Sequence, residues 1–240
     1  MASETAIPDA LKVNEYFSKK DFIATMSEAY ALTKPQIAYD LQKRLDSGSI
    51  VHVGWNKYSL PGKKKQYDHV YSELAEEAAS KLLKNYIDLD FQIFELIQMN
   101  DFMNHQVAHN TIFISVENEL QESVFEMMRK EYPGHVMLRP RIDDYYRYLV
   151  DDEMIVLRLP TESPKGISVS WRSRLEKILV DVLTDKLISA IVPANEKRNI
   201  VEGASEAYLL DEDTMFRYAR RKGAVEKFKR ELYKYAEDTV

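Results

Sequence analysis

The sequence predicts an α+β protein, in which an N-terminal winged helix-turn-helix is followed by a larger mixed α/β domain with a helical C-terminus. Three observations predict this fold. The N-terminal part has the order helix, helix, helix, hairpin; a proline–glycine pair and a lysine run follow it; and the hydrophobic period beyond them changes between helical and strand spacing. The 240 residues are enough for two modest domains, predicted at 1–62 and 67–240.

Capping residues predict the N-terminal helices. A short helical stretch begins at Pro8, and Ser18 followed by Asp21 in the first turn predicts a second helix. Thr33-Lys34-Pro35-Gln36 is a Thr-x-x-Gln capping box with proline in the first turn, so a third helix starts here. Ser47-Gly48 ends it. The apolar side of this third helix consists of Ile37, Leu41 and Leu45.

A predicted hairpin and linker complete the first domain. Two strand-like runs cover 49–53 and 57–60, and Gly54-Trp55-Asn56 forms the turn between them. Pro61–Gln66 combines two chain breakers with a charge run and is the predicted linker. Three helices and a hairpin in about 60 residues are typical of a winged helix-turn-helix.

The larger domain is predicted from changes of hydrophobic period. An amphipathic helix covers about 67–85. Ile87, Leu89, Phe91 and Ile93 then alternate with polar residues, which predicts a half-buried strand. Further strands are predicted at 111–117, 135–139 and 153–159, with helices at about 119–130 and 141–148 between them. After a loop at 161–166 the chain is predicted to be helical, in segments of about 174–189, 195–209, 211–222 and 224–237.

Composition excludes several classes of protein. Without cysteine there is no disulfide, cysteine nucleophile, iron–sulfur cluster or cysteine-ligated zinc. The N-terminus lacks the pattern of a signal peptide, and no apolar run approaches the roughly 18 residues of a membrane span. We therefore expect a soluble, cytoplasmic protein that has no membrane partner, no cofactor and no bound metal.

Charge is distributed unevenly along the chain. Residues 18–66 contain nine Lys/Arg and four acidic residues, a net charge of +5, whereas residues 67–240 have a net charge of −9. A basic segment attached to an acidic body indicates a module that binds a polyanion, because Lys and Arg contacts to phosphates dominate affinity for nucleic acid.

The third helix is the candidate DNA-recognition helix. In a helix-turn-helix the second helix of the motif enters the major groove with its N-terminal residues against base edges. Gln can pair with adenine, and Lys can reach guanine or phosphate. The predicted contacts on this helix are Lys34, Gln36, Tyr39 and Lys43, with Asp40 beside them. The predicted contacts at the tip of the wing are Trp55, Asn56 and Lys57.

Catalytic and metal motifs are weaker alternatives. His105 and His109 have the i, i+4 spacing of a zincin helix, but Gln106 replaces the general-base glutamate, so two ordinary polar histidines are expected. Asp88 and Asp90 resemble the magnesium-binding pair of nucleotidyltransferases, without the Gly-Ser helix start that holds phosphates. The seven isolated glycines form neither a P-loop nor a dinucleotide-binding fingerprint. We expect no catalytic residue.

A basic run near the C-terminus could bind an anion or an acidic partner, but a structural role is the preferred interpretation. Cations complement the dipole in the last turn of a helix, and a following glycine closes the helix end. The run consists of Arg217, Arg220, Arg221 and Lys222, before Gly223.

The order of motifs resembles a known family. The predicted winged helix ending in Ile50-Val51-His52-Val53-Gly54 and Lys57-Tyr58-Ser59-Leu60-Pro61 resembles the N-terminal module of AbiEi-type antitoxins. The segments Leu175–Asp181 and Arg217–Arg221 are similar to parts of the larger C-terminal domain of that family. The resemblance implies a type IV toxin–antitoxin component. Such a protein represses its own operon through promoter repeats in double-stranded DNA and counteracts a nucleotidyltransferase-like toxin, directly or indirectly.

Three functional hypotheses follow. The first is a DNA-binding antitoxin-type regulator without catalysis. The second is a magnesium-dependent nucleotidyltransferase-like or nuclease-like enzyme that uses Asp88 and Asp90. The third is a non-catalytic adaptor, whose acidic body binds a protein partner while the winged module serves as a scaffold.

Overall fold

The chain is an α+β protein that divides into two compact units. The structure is a computed structural model that describes residues 6–12, 17–54, 57–60 and 66–236. The first unit comprises Met1–Gln66 together with Ala207–Asp213, and the second comprises Tyr67–Glu206 and Thr214–Val240. The segment Ala207–Asp213, which the sequence analysis placed in the larger domain, thus belongs to the first unit. Among the described residues, no helix has both the length and the apolar character needed to cross a membrane.

The first unit contains three helices followed by a hairpin, in the predicted order. Its elements are α1 (Asp9–Lys12), α2 (Lys19–Tyr30), α3 (Lys34–Asp46), β1 (Val51–Gly54) and β2 (Lys57–Ser59). The two strands are antiparallel, and their register shifts between His52 and Gly54. Trp55 and Asn56, the predicted tip of the hairpin, lie outside the described residues, as does the linker segment 61–65.

The predicted N-cap at Ser18 and the predicted capping box at Thr33 are both present, and Ser18 also forms a capping box. The Ser18 hydroxyl accepts a hydrogen bond from the Asp21 backbone N–H, and the Asp21 carboxylate accepts one from the Ser18 N–H. The Gln36 side-chain oxygen accepts hydrogen bonds from the Thr33 N–H, at 2.9 Å, and from the Thr33 hydroxyl. These bonds satisfy polar groups at the helix starts that have no partner within the helix. The helix starts were therefore predictable from local sequence.

A small aromatic and aliphatic core holds the first unit together. Phe17 stacks on Phe22 and on Tyr58, with ring centroids 5.9 and 6.1 Å apart. Phe17 also exchanges two backbone hydrogen bonds of 2.9 Å with Tyr58, which ties the chain before α2 to β2. Burial of apolar side chains at these positions is the main stabilising contribution. The buried residues of this core are Leu11, Phe17, Phe22, Met26, Ile37, Leu41 and Ile50.

The second unit is built around a mixed four-stranded sheet. Its strands are β3 (Phe91–Glu95), β4 (Thr111–Val116), β5 (Val136–Leu138) and β6 (Glu153–Arg158). The helices before and between them are α4 (Glu73–Asn85), α5 (Gln121–Glu131) and α6 (Ile142–Tyr148). The C-terminal helices are α7 (Leu175–Thr184), α8 (Ile188–Ile191), α9 (Glu196–Ala207), α10 (Glu212–Arg221) and α11 (Val225–Ala236). The 3₁₀ helices are Leu96–Phe102 and Asn118–Leu120.

The strand order is β3-β4-β6-β5, with β3 antiparallel to β4 and the other three strands parallel. Helices α4 and α5 pack on one face, where Ala78 and Val124 share a buried cluster with Ile112. The free edge of β3 is partly covered, because Ile93 exchanges backbone hydrogen bonds with Trp171 and Ser173. Covering an edge in this way blocks pairing with another chain.

Two predicted elements begin later than expected. Helix α4 starts at Glu73, with Ser72 as its N-cap, instead of near 67. The preceding residues are held by tertiary bonds, since the Tyr71 hydroxyl donates to the Ile93 carbonyl and accepts from the Ser173 N–H. Strand β3 starts at Phe91, and all five of its residues are buried, so the predicted half-buried strand from Ile87 was wrong.

Candidate nucleic-acid interface

Helix α3 presents an exposed face that contains most of the predicted DNA contacts. Lys34, Gln36, Tyr39 and Lys43 are all exposed, and Tyr39 has 74% of its surface accessible. In the described residues, neither the Tyr39 nor the Lys43 side chain has a hydrogen-bond or ion-pair partner. Aromatic residues are enriched in interfaces, so an exposed tyrosine one turn before an exposed lysine makes this face a candidate interface.

The four predicted residues do not share one side of the helix. With about 100° of rotation per residue, Gln36, Tyr39 and Lys43 lie within about 60° of one another. Lys34 lies about 140° around the helix from Tyr39. The interface on α3 is therefore centred on Tyr39 and Lys43. Lys34 lies at the start of the helix and on a different face.

The opposite side of α3 contains a charged pair that includes one of the basic residues counted in the N-terminal segment. Arg44 is 2% exposed, and its Nε lies 2.6 Å from Asp40 Oδ2. Both charges are thus engaged beside the buried Ile37 and Leu41. The placement of Asp40 among the exposed residues was wrong, and one of the nine basic residues of the N-terminal segment is unavailable to a polyanion.

Gln36 has a structural role in addition to its exposed position. Its side-chain oxygen accepts two hydrogen bonds from Thr33, and these bonds cap the start of the helix. Bidentate pairing with adenine requires both the oxygen and the NH₂ group of a glutamine. In this arrangement the NH₂ group remains as the part of Gln36 that could contact a base.

Other basic residues lie in the first turns of helices α2 and α3. Lys19 and Lys20 begin α2, and Lys34 begins α3; all three are exposed. Helix N-termini carry partial positive charge from the peptide dipoles, so cations here add to a local potential that favours anions. Of the predicted wing residues, Lys57 is in β2, while Trp55 and Asn56 lie outside the described residues.

The two histidines of the zincin-like motif are separate from one another. They lie in an irregular segment between the first 3₁₀ helix and β4, rather than on a helix. His105 Nδ1 is 2.7 Å from Glu196 Oε1, whereas His109 pairs with Asp151. Hydrogen bonds from Asn199 and from His105 lower the pKa of Glu196 to about 2. The two histidines have separate carboxylate partners. This agrees with the prediction that they are two ordinary polar histidines.

Asp88 and Asp90 are likewise not arranged as a cation-binding pair. Asp88 is an exposed turn residue with φ of +59°, and Asp90 is bridged to Lys165 at 3.0 Å. Across the described ranges, no group of three or more His, Asp or Glu side chains could hold a metal ion. A magnesium site on these two residues receives no support from their geometry.

Sequence analysis missed a buried charged cluster in the second unit. The carboxylate of Asp181, on α7, accepts hydrogen bonds from Lys177, from Lys222 and from the Tyr218 hydroxyl. Lys222 also lies 3.4 Å from Asp185. Burial alone would raise the pKa of Asp181, but the two ammonium groups lower it below its usual range. We name these five residues the Asp181 cluster.

A second buried carboxylate, Glu95, lies at the end of β3. It accepts hydrogen bonds from the Ser72 N–H at 2.9 Å, from the Ser72 hydroxyl at 2.6 Å and from Asn110 Nδ2 at 2.9 Å. His69 Nε2 is 3.8 Å away. Burial would raise the pKa of Glu95, but these donors lower it overall. Because Ser72 is the N-cap of α4, Glu95 fixes the start of that helix to the sheet.

The carboxylates of both buried clusters are satisfied. In the Asp181 cluster two lysines face two aspartates, and the Glu95 carboxylate has polar donors on both of its oxygens, although the buried Nε2 of His69 beside it has no hydrogen-bond partner among the described atoms. A carboxylate whose oxygens already accept hydrogen bonds stabilises the fold and is not free to bind or activate a substrate. The only sequence signal for the first cluster is the i, i+4 spacing of Lys177 and Asp181 within an apolar helix.

Comparisons with known proteins give one family. A family model described as "Family of unknown function (DUF6577)" matches residues 36–238. No curated protein matches the chain. The matched range begins within α3 and includes the hairpin and nearly all of the second unit. Because it spans most of the 240 residues, the chain belongs to the DUF6577 family.

Proposed function

We propose that the first unit is a winged helix-turn-helix that binds duplex DNA, with α3 as its recognition helix. The observation that carries this proposal is the connection of α2 to α3. Only residues 31–33 separate the two helices, and Ala31 adopts the left-handed conformation with φ of +51°. A short turn with a left-handed residue, leading to a helix with an unpartnered face, is the arrangement of DNA-binding helix-turn-helix motifs.

The hairpin supports the winged form of the motif. Phe17 lies between α1 and α2, and its two backbone hydrogen bonds to Tyr58 place a third extended segment beside β2. In winged helices a short strand before the helix-turn-helix pairs with the hairpin in this manner. The wing would then present Trp55, Asn56 and Lys57 to the DNA backbone or minor groove.

Contacts to DNA follow from the exposed positions. Tyr39 and Lys43 would enter the major groove, where lysine can bind guanine or phosphate. Lys34, at the helix start, would contact a phosphate together with backbone N–H groups. The NH₂ group of Gln36 would donate to a base-pair acceptor. Phosphate contacts would position the protein, and the few groove contacts would specify the sequence.

The cellular role that we propose is that of an antitoxin-type regulator. This part of the proposal rests on the resemblance of the strand segments and of Leu175–Asp181 to AbiEi-type antitoxins. The protein would repress its own operon through promoter repeats, act in the cytoplasm where the chromosome lies, and counteract a nucleotidyltransferase-like toxin. It would have no catalytic activity of its own.

DNA binding can be tested by the salt dependence of affinity. The probe is a labelled duplex of the region upstream of the protein's own gene, titrated at several salt concentrations. Replacing Lys34 and Lys43 with Ala should reduce the slope of log Kd against log salt by up to about two, since each lost phosphate contact removes roughly one. Tyr39→Ala should reduce the preference for this duplex over one of scrambled sequence.

A charge-matched control separates local contacts from net charge. Lys84 and Lys130 are exposed residues of the second unit, and the double variant Lys84→Ala/Lys130→Ala should leave the slope unchanged. If the Lys34→Ala/Lys43→Ala protein binds with the wild-type slope and affinity, the proposed interface is wrong. The antitoxin role is tested separately, by whether co-expression restores growth of cells that express a nucleotidyltransferase-like neighbouring gene.

A further inference from the structure

Two helices near the C-terminus concentrate positive charge in an otherwise acidic chain. Residues 214–236 contain eight Lys/Arg and two Glu, whereas the whole chain has a net charge of −6. Acidic residues flank this stretch at 211–213 and 237–238, so the cations gather around the turn at Gly223 that joins α10 to α11. We define the α10–α11 basic surface by its six exposed cations, Arg217, Arg220, Arg221, Lys229, Arg230 and Lys234.

The arginines of α10 on this surface are weakly engaged by the protein itself. The Arg220 side chain has no hydrogen-bond or ion-pair partner among the described residues, and Arg217 donates to the neutral hydroxyl of Thr214 at 3.0 Å. Arg221 pairs with Glu162, and both side chains are about half exposed. Exposed pairs of this kind contribute little to stability, so a phosphate could replace the carboxylate at little cost.

Crowding of like charges extends to the neighbouring helix α9. Burial lowers the pKa of Lys197, and the ammonium groups of Lys227 and Lys234 lower it further, against the opposing effect of Glu231. Lys197 donates to the hydroxyl of Ser189 at 2.8 Å. Several ammonium groups are therefore close enough to repel one another, and a bound polyanion would relieve that repulsion.

The apolar sides of both helices are already covered by protein. Tyr218 and Ala219 of α10 and Phe228 of α11 are buried, and Phe216 meets Phe228 edge-to-face with ring centroids 5.3 Å apart. Helices that bind membranes insert an exposed apolar face between lipid headgroups. Among the described side chains of α10 and α11 no such face is left, so the basic surface is not suited to a lipid bilayer.

The aromatic residue of the exposed side favours a nucleic acid over other polyanions. Tyr233 is 51% exposed and lies three and four residues after Arg230 and Lys229, which puts the three side chains on one helix face. Aromatic side chains beside cations are the usual platform on which unpaired bases stack. The guanidinium groups of α10 suit bidentate contacts to phosphodiester oxygens.

We propose that the α10–α11 basic surface is a second nucleic-acid site, which binds the phosphodiester backbone independently of helix α3. Its arginines and lysines would track successive phosphates, and Tyr233 would stack on a base of a single-stranded segment. The second unit would thereby contact nucleic acid itself, instead of serving only as a body attached to a DNA-binding module.

The proposal can be tested by fluorescence anisotropy with the full-length protein and unrelated sequences. The probes are a labelled single-stranded DNA, a duplex DNA and a duplex RNA of equal length. The test variant replaces Arg217, Arg220, Lys229 and Arg230 with Gln. Its Kd for the best of these probes should rise by at least about tenfold, and its salt slope should fall by about three to four, as expected for four lost phosphate contacts.

A charge-matched control uses four exposed cations elsewhere in the second unit, Lys84, Lys130, Arg147 and Lys186, all replaced with Gln. It should retain wild-type binding. Equal Kd values for the test variant and wild type on all three probes would overturn the proposal. Competition by polyglutamate as effective as competition by an oligonucleotide of equal charge would also overturn it, in favour of an acidic protein partner.

The two proposed sites fail in distinguishable ways. If Lys34→Ala/Lys43→Ala weakens binding to the promoter duplex and the four-residue variant does not change binding to any probe, the second site is wrong and the first stands. The opposite pattern retains only the second site. Unfolding midpoints within error of wild type for both variants would show that the comparison concerns binding, because all replaced residues are exposed.

Discussion

Lys177 and Asp181 form an ion pair with a 2.8 Å Nζ–Oδ2 distance, although both side chains are almost completely buried. They lie one turn apart on α7, and all ten residues of this helix are buried. Lys222 supplies a second cation to the same carboxylate from beyond the end of α10. The Asp181 carboxylate therefore joins α7 to the segment that follows α10.

Asp181→Asn should destabilise the protein strongly. The substitution removes the negative charge that compensates two buried ammonium groups, and breaking a buried ion pair in this way costs about 3–5 kcal/mol. Chemical denaturation monitored by circular dichroism would measure the loss. Arg198 and Glu202 offer an i, i+4 pair with a 2.9 Å distance whose side chains are 36% and 42% exposed. Glu202→Gln should cost less than about 1 kcal/mol. Similar losses for the two variants would contradict a special role for the buried pair.

Local sequence signals were sufficient for most of the fold. The helix starts at Ser18 and Thr33 were predictable, because a capping residue and its partner three positions later are close in sequence. The strands at 111–116, 136–138 and 153–158 agree with the predicted ones within about two residues, as expected where short apolar runs end in polar turns.

The misassigned segments depend on contacts that are distant in sequence. Apolar and polar residues alternate from Ile87 onward as they do in a strand. However, Ile87 is 95% exposed, and Asp88 turns the chain with a positive φ. Tyr71 has a helical pattern around it but forms hydrogen bonds to the sheet and to Ser173. A hydrophobic period describes one face of an element and contains no information about such tertiary partners.

The candidate sites show the same limit. Tyr39 and Lys43 were identified because they lie opposite an apolar stripe. Arg44 was counted in the net charge of the basic segment by residue type alone, although its helical position lies beside Ile37 and Leu41. The Asp181 cluster was not predicted, because residue type and helical spacing do not show that α7 is buried on every side.

Glu153 should make stability depend on pH between about 4.5 and 7. It is 1% exposed, its Oε2 has no hydrogen-bond partner among the described atoms, and burial raises its pKa to about 7. The folded state therefore holds a proton that the unfolded state releases as pH rises above the ordinary glutamate value. Stability from this group is complete below that value and is lost progressively up to about pH 7.

Glu153→Gln removes this titration. The variant should be more stable than wild type at pH 8, by up to about 3 kcal/mol, and the difference should shrink toward pH 4.5. Urea denaturation at pH 5, 6, 7 and 8 measures both curves. A constant difference between the two proteins across this range would be inconsistent with a raised pKa of Glu153.

Gln36 should contribute to stability as well as to the interface. Gln36→Ala removes the acceptor for the Thr33 N–H and hydroxyl and should lower the free energy of unfolding by about 0.5–1 kcal/mol. Gln36→Glu keeps the acceptor and should retain most of that stability.

Gln42, another exposed residue of α3, bonds only to Asp46 on the same helix face in the described structure. Gln42→Ala should therefore cost about 0.2–0.5 kcal/mol. If Gln36→Ala costs no more than Gln42→Ala, the cap does not stabilise the helix.

Two glycines of the second unit should respond to alanine in opposite directions. A Cβ on Gly166 would lie 2.3 Å from the carbonyl oxygen of Val169 and 2.7 Å from that of Arg172. Neither backbone oxygen can move without shifting the segment that covers the edge of β3, so Gly166→Ala should destabilise the protein by more than 1 kcal/mol, roughly the lower bound for overpacking.

Gly203 lies within α9, and its added Cβ would make an ordinary 3.5 Å contact with Phe102. Gly203→Ala should therefore stabilise the protein by up to about 1 kcal/mol, since alanine has the higher helix propensity. Thermal unfolding of wild type and the two variants measures the change in Tm for each substitution. A lower Tm for Gly203→Ala would show that the contact with Phe102 is tighter than its distance indicates.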